Sequence, residues 1–138
     1  MILIKNKLMS DTFLKEKYGE FNGEEFIEEG TGSSYRIPAN YASKSMLVQG
    51  DKLKLVLTEN GMLFKQISPV QRIRFIGKVR VVNDVHYIIN EANNKTYRVL
   101  YASISYHKLE DGSFVMGIIP KNMESEWCAI EESLPNGV

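Results

Sequence analysis

The chain lacks the features by which secreted and membrane proteins are recognised. Its 138 residues include one cysteine, Cys128, so no internal disulfide can form and a reducing compartment is expected. The apolar opening MILI is too short for a signal peptide, and no apolar run approaches the roughly 20 residues that a transmembrane helix needs. The sequence therefore predicts a cytoplasmic protein with no membrane partner.

Residues that carry catalysis are also scarce. The two histidines, His86 and His107, have no Cys or His partner at metal-ligand spacing, so no metal site is predicted. Gly-rich phosphate loops, nucleophile elbows and paired catalytic carboxylates are absent from the sequence. Cys128 stands beside Trp127 in an apolar segment and is interpreted as a buried structural thiol. We therefore expect a binding protein rather than an enzyme, with no cofactor.

What the sequence does contain is β-strand periodicity, and it is clearest in residues 34–67. The segment KLKLVLT alternates apolar and polar residues, a period of two that a half-buried strand requires. Residues 39–46 contain neither glycine nor proline and predict a short helix, which Pro38 separates from the preceding strand. Asn60-Gly61 predicts a tight hairpin. The order of elements is thus strand, short helix, turn and hairpin.

This stretch resembles the swapped-hairpin barrel of AbrB/SpoVT-type transition-state regulators and antitoxins. The matching skeleton is Ile37-Pro38, eight residues, Leu47, three residues and Asp51, followed by an alternating strand, a turn and a second strand. The resemblance covers about a quarter of the chain. It implies an intertwined homodimer that binds DNA with cations of the first strand and of the short helix.

The family's usual arginine positions are filled differently in this chain. Ser34, Ala42 and Ser43 occupy them, which leaves Arg36 and Lys44 as the nearby cations. The whole chain, through YRIPANYASKSML, VLYASISY and IIPK, also looks like uncharacterised small proteins of candidate-phylum bacteria, some labelled as ribosomal stalk protein. That second resemblance keeps a ribosome or protein partner open beside DNA or RNA.

The remainder of the chain predicts two flanking regions. Residues 1–32 are interpreted as an acidic N-terminal arm, with a short helix that starts at Ser10-Asp11 and runs to about Tyr18. Ser68-Pro69 favours a turn and marks a boundary between residues 33–68 and residues 69–138. The last region reads as five or six short strands without helices, among them a long strand over residues 72–82 and the alternating segment ASISYHK of residues 102–108. This pattern indicates a small antiparallel barrel of the OB or SH3-like kind. The predicted fold is mostly β, with no internal repeat.

Charges are segregated along a chain whose formal net charge is zero. Residues 31–82 hold nine Lys and Arg against two Asp and Glu, whereas residues 1–30 hold four against seven and residues 83–138 hold four against eight. A basic middle can attract a polyanion if its charges gather on one face. Alternatively, the acidic ends fold over the middle and neutralise it in solvated ion pairs.

Two candidate surfaces for nucleic acid follow from these charges. The first is the barrel edge in the AbrB-like stretch, residues 34–67. The second combines a basic strand with tyrosines that could stack on bases. The predicted binding residues of the first surface are Arg36, Lys44, Lys52 and Lys54. Those of the second are Arg72, Arg74, Lys78 and Arg80, with Tyr87, Tyr97, Tyr101 and Tyr106 as the aromatic partners. The leading hypothesis is a non-catalytic, nucleic-acid-binding homodimer of regulatory or architectural function. The alternative is a protein-interaction or ribosome-associated module that does not bind DNA directly.

Overall fold

The chain is mostly β, with two five-stranded antiparallel sheets and two helices of six residues in the part that the structure, a computed structural model, describes, residues 13–135. The first sheet comprises β1 (Phe13–Phe21), β2 (Glu25–Glu28), β3 (Ser34–Arg36), β4 (Lys52–Thr58) and β5 (Gly61–Ser68), with α1 (Ala39–Lys44) between β3 and β4. The second comprises β6 (Arg72–Val82), β7 (Val85–Asn90), β8 (Thr96–Arg98), β9 (Phe114–Pro120) and β10 (Ala129–Leu134), with α2 (Tyr101–Tyr106) between β8 and β9.

The two sheets share one connectivity. Their strand orders are β3-β2-β1-β4-β5 and β10-β9-β6-β7-β8, which become identical when the second is read from β8. A helix follows the third strand in both. Residues 13–68 and 72–134 are therefore two copies of one βββαββ unit, called here the first repeat and the second repeat. The expectation that the chain has no internal repeat is wrong.

The correspondence extends to the turn after each helix. Met46 and Lys108, 62 positions apart, both have positive φ, at 50° and 53°. Four residues later Gly50 and Gly112 also have positive φ, at 99° and 91°, a conformation that glycine adopts without strain. Each of these glycines donates its N–H over 2.8 Å to a carbonyl of the central strand of its own sheet. The two turns thus attach to their sheets in the same way.

Each repeat has an apolar core on the inner face of its sheet. The first core includes Phe26, Leu53 and Leu55, and the second includes Val79, Ile88 and Val115, all fully buried. A smaller cluster of Val48, Ile118 and Ala129 joins the first repeat to the outer face of β9 and β10. The helices also meet, and the buried Ser103 Oγ donates to Ser43 Oγ over 3.0 Å. Packing between the repeats therefore uses both apolar and polar contacts.

Several predicted elements are confirmed. Residues 39–44 form α1, Asn60-Gly61 lies at the turn between β4 and β5, and residues 72–82 form β6. The predicted helix ending near Tyr18 is wrong for the described residues, because residues 13–21 form β1, which pairs with β2 on one edge and with β4 on the other. The proposed cap at Ser10-Asp11 lies outside the described residues. Residues 13–28, assigned to an arm, are instead strands of the first sheet.

A strand predicted over residues 102–108 is also wrong, since residues 101–106 form α2. Ser103 and Ile104 are adjacent and both buried. A strand would direct adjacent side chains to opposite faces of a sheet, whereas a helix that rests on a core can bury both. The alternation of ASISYHK therefore reflected one buried stripe of a short helix rather than a pleated strand.

Close packing around Phe75 gives a first prediction. A Cβ at Gly117 would lie 2.4 Å from the Phe75 ring, and one at Gly77 would lie 3.0 Å from it. We expect Gly117→Ala to lower the free energy of unfolding by about 1–2 kcal/mol, because the added methyl overpacks the core. Urea denaturation measures the change. Phe75→Leu in the same chain should recover part of the loss, and a double variant less stable than the sum of both changes would contradict this explanation.

Candidate nucleic-acid interface

Arg72, one of the predicted binding cations, forms an ion pair with a buried carboxylate. Asp51 is fully buried, and Arg72 Nη1 donates to Asp51 Oδ1 over 2.9 Å and to the Val70 carbonyl over 2.7 Å. Arg72 Nη2 donates to the Met46 carbonyl over 3.1 Å. This arginine therefore fastens the start of β6 to the turn that follows α1. It is not available to a ligand without disturbing the fold.

Two further cations of the first sheet pair with acidic residues of β1 and the turn after β2. Lys52 Nζ lies 2.8 Å from Glu20 Oε2 and 3.2 Å from Glu29 Oε2, and the hydrogen bond to Glu20 raises the pKa of Lys52. Lys54 Nζ lies 3.7 Å from Glu16 Oε2. All three carboxylates belong to the acidic residues 1–30, as the neutralisation alternative expected.

The remaining predicted cations differ in their surroundings. Arg74 pairs with Glu131 through two hydrogen bonds, and these lower the pKa of the Glu131 carboxyl. Arg36 lies exposed on β3, and Lys44 lies exposed in the last turn of α1. Within residues 13–135, neither Arg36 nor Lys44 forms an ion pair.

One surface of the second repeat does bring cations and aromatic rings together. We call it the cationic-aromatic face, and it consists of Lys78, Arg80, Tyr87, Arg98 and Phe114, whose positions share the outer side of the second sheet. Arg80 lies opposite Tyr87 in the register of β6 with β7, and Tyr87 lies opposite Arg98 in the register of β7 with β8. Side chains directly opposite on a sheet have Cβ atoms about 5 Å apart. A tyrosine thus lies between two arginines.

The aromatic contacts of this face hold its cations in place. Lys78 Nζ lies 5.6 Å from the centroid of the Phe114 ring, and Arg98 Cζ lies 4.3 Å from the centroid of Trp127. Cation-π contacts at exposed sites stabilise by about 0.5–1 kcal/mol. Among residues 13–135, no ion pair is found for Lys78, Arg80 or Arg98. Their positive charge is therefore uncompensated locally, unlike that of Arg74.

Local backbone conformation sets this register. Asn83 and Asp84 form the two-residue turn between β6 and β7, and both have positive φ, at 51° and 66°, as type I′ turns require. Phe75, Gly77 and Val79 point into the core from the same strand. Because side chains alternate along a strand, the cations of β6 necessarily face outward. The tight turn then brings β7 back with Tyr87 beside Arg80.

The four predicted tyrosines do not share one surface. Tyr97 is 2% exposed, packs in the second core, and has its pKa raised by burial. Tyr101 and Tyr106 lie on α2 and are 68% and 60% exposed. Only Tyr87 joins the cations on the outer side of the sheet. Sequence reasoning missed Arg98 and Phe114. Because side chains alternate along a strand, an inward-facing Tyr97 would have indicated that its neighbour Arg98 faces outward.

The first repeat carries different residues at the positions that correspond to the cationic-aromatic face. Gly19 pairs with Glu28 as Gly77 pairs with Asn90, so Glu20 corresponds to Lys78. By the same register Glu25 corresponds to Tyr87 and Arg36 to Arg98. The cation and the ring of the second repeat are thus replaced by carboxylates in the first. Only one of the two repeats presents a surface suited to a polyanion.

Other chemical features are limited within the described chain. Residues 13–135 contain no group of three or more His, Cys, Asp and Glu that could hold a metal ion. Cys128 is buried, and burial raises the pKa of its thiol. No helix in this part of the chain is long and apolar enough to cross a membrane.

Comparisons with protein-family models, curated proteins and solved structures find no match.

Proposed function

We propose that the protein is a non-catalytic nucleic-acid-binding protein that uses the cationic-aromatic face of its second repeat. The observation that carries this proposal is the row Arg80, Tyr87 and Arg98 across three neighbouring strands. Basic side chains attract phosphates and release condensed counterions, and an aromatic side chain between them can stack on a base. Of the eight cations predicted from the sequence, the proposal retains Lys78 and Arg80 as the direct contacts.

Strand order supports an OB-like barrel for the second repeat. An OB-fold is a five-stranded Greek-key barrel whose second and third strands bind oligonucleotides, and here those strands are β7 and β8. A parallel bridge joins Arg98 of β8 to Trp127, just before β10, and the hydrogen bonds around it measure 2.8 and 3.0 Å. This bridge brings the two ends of the sheet together. The AbrB-like interpretation of residues 34–67 likewise stays a proposal.

Binding is tested by fluorescence anisotropy with labelled single-stranded DNA, single-stranded RNA and duplex DNA over a range of salt concentrations. Three unpaired cations on the face predict a slope of log K against log salt of about −2 for single strands, at about 0.7 per phosphate. Light scattering on the same samples gives the mass of the binding species. Absence of binding to all three ligands at low salt would reject the proposal.

Stacking on Tyr87 gives a prediction of its own. Tyr87→Ala is expected to weaken binding about 10-fold, because base–aromatic stacking contributes about 1–3 kcal/mol per base. Tyr87→Phe keeps the ring and should bind within about 2-fold of the native chain. Tyr101→Ala is the matched control, since this exposed tyrosine lies on α2 and its ring contacts His86, which alternation along β7 places on the other side of the sheet from Tyr87. Equal losses in Tyr87→Phe and Tyr87→Ala would show that the ring does not stack.

A protein-interaction or ribosome-associated module is the second candidate. The ion pairs of Lys52, Lys54, Arg72 and Arg74 favour it, because they show that half of the predicted binding cations already have carboxylate partners. Such a module would show neither the steep salt dependence nor the loss on Tyr87→Ala. The anisotropy measurements therefore separate the two candidates.

A further inference from the structure

The outer edge of β5 is open within the described chain. This eight-residue strand pairs with β4 on one side, and no strand of residues 13–135 pairs with its other side. In the second repeat the matching end of the sheet is joined to β8 through the bridge at Trp127. The first repeat has no such bridge. Within residues 13–135, the outer backbone N–H and C=O groups of β5 therefore have no strand partner.

The side chains of this edge are mostly apolar. Met62, Leu63 and Ile67 are 44%, 56% and 47% exposed, and β5 contains no proline and a single charge, Lys65. Natural edge strands are usually short, charged, bulged or interrupted by proline, because an open apolar edge pairs readily with another strand. The edge of β5 has little of this protection.

The second repeat shows how the same surface is covered elsewhere in the chain. Leu55 pairs with Phe64 as Gly117 pairs with Ile130, so the neighbouring Leu63 corresponds to Ala129. Ala129 is buried against Val48 of the first repeat. Leu63 has no such cover. The covered position carries a small residue and the open one a large apolar residue.

We propose that a second copy of this chain occupies the edge, with the two β5 strands antiparallel about a two-fold axis that passes beside Leu63. In this register Leu63 of each copy faces the other, and Lys65 faces Gly61 of the second copy. Lys65 then lies diagonal to Glu59 of the second copy, within about 7–8 Å, so opposite charges approach while the two lysines stay apart. The contact is self-complementary, as an isologous dimer requires.

Self-pairing would also present two cationic-aromatic faces in one particle. Two linked sites bind a long strand more tightly than one, by an effective concentration that depends on their spacing. The pairing itself depends on β5 alone and does not rest on the proposed binding of nucleic acid. The two proposals can therefore fail separately.

Light scattering after size-exclusion chromatography tests the pairing over about 1–100 µM protein without nucleic acid. The native chain should reach the mass of two chains, and Leu63→Lys should keep the mass of one, because it places like charges directly opposite each other. Val85→Lys is the control, since Val85 is an exposed apolar residue of the second repeat and its change should leave the dimer intact. Thermal unfolding checks that both variants are folded.

Hydrogen exchange on the native chain gives a readout that needs no variant. Protection of amides in residues 61–68 should increase with protein concentration. A native chain that stays monomeric over the whole range would overturn the proposal. So would a Leu63→Lys dimer, or edge amides protected independently of concentration, which would mean that the same chain or another bound molecule covers the strand.

Discussion

Replacing Asp51 by asparagine is expected to lower the free energy of unfolding by about 3 kcal/mol. Removing one partner of a buried ion pair typically costs about 3–5 kcal/mol, because the other charge remains without compensation. The Arg72 side chain is 23% exposed, which favours the lower end of that range. Denaturation in urea, followed by circular dichroism, measures the change.

Asp51 also closes the turn after α1, so its contribution to the turn has to be separated from its ion pair with Arg72. Its Oδ2 accepts the N–H of Val48 over 2.9 Å. In the second repeat Ser113 occupies the matching position, and its Oγ accepts the N–H of Glu110 over the same distance. Asp51→Ser should therefore keep the hydrogen bond that closes the turn and lose the contacts to Arg72, Gln66 and Val70. Its stability is expected to fall nearly as far as that of Asp51→Asn.

A matched control comes from an exposed ion pair. Glu131→Gln removes the carboxylate that pairs with Arg74, and pairs of this exposed kind contribute little to stability. Its denaturation midpoint should stay close to that of the native chain. If Asp51→Asn and Glu131→Gln shift the midpoint equally, Asp51 does not have the structural importance indicated by its burial and by the four residues that donate hydrogen bonds to its carboxylate.

Local sequence patterns were sufficient to predict the elements whose conformation is determined by their own residues. The period of two in residues 72–82 predicted β6 and the face of each side chain, because a half-buried strand needs that alternation. Pro38 and the composition of residues 39–46 predicted α1. These signals are short-range, and no distant contact overrides them.

Elements that depend on distant contacts were not predicted. β1 carries Lys15-Glu16-Lys17, which has no apolar alternation, and it is a strand because β2 and β4 pair with both of its edges. The internal repeat was hidden for a related reason. Turn geometry is kept at Gly50 and Gly112, whereas positions such as Glu25 and Tyr87 differ in charge and size. Connectivity can be shared where side-chain chemistry is not.

The candidate site shows the same limit. Arg72 and Arg80 belong to one strand and to one side of its alternation, yet Arg72 is held by Asp51 and Arg80 is exposed. Sequence supplied the charges but not their partners, since the distance to a carboxylate 21 positions away depends on the fold. Arg98 was missed because its segment is acidic overall, and only the pairing of β7 with β8 places it beside Tyr87.

Reversing the charges of Arg80 and Arg98 together is expected to weaken binding of single-stranded nucleic acid by about 25-fold or more at about 0.1 M salt. Two phosphate contacts contribute about −1.4 to the slope of log K against log salt, which corresponds to about 25-fold at that concentration. Arg80→Glu with Arg98→Glu should therefore bind more weakly and show a shallower slope. Anisotropy titrations at several salt concentrations measure both.

The internal repeat supplies the control for this experiment. Arg36 occupies in the first repeat the position that Arg98 occupies in the second, but it lies opposite Glu25 rather than a tyrosine. Arg36→Glu changes the net charge of the chain as Arg98→Glu does, so an effect of net charge alone would appear equally in both. We expect Arg36→Glu to bind within about 2-fold of the native chain, since long-range attraction is screened beyond about 10 Å at this salt. Equal losses in the two single variants would mean that the ligand is attracted by overall charge and does not lie on the cationic-aromatic face.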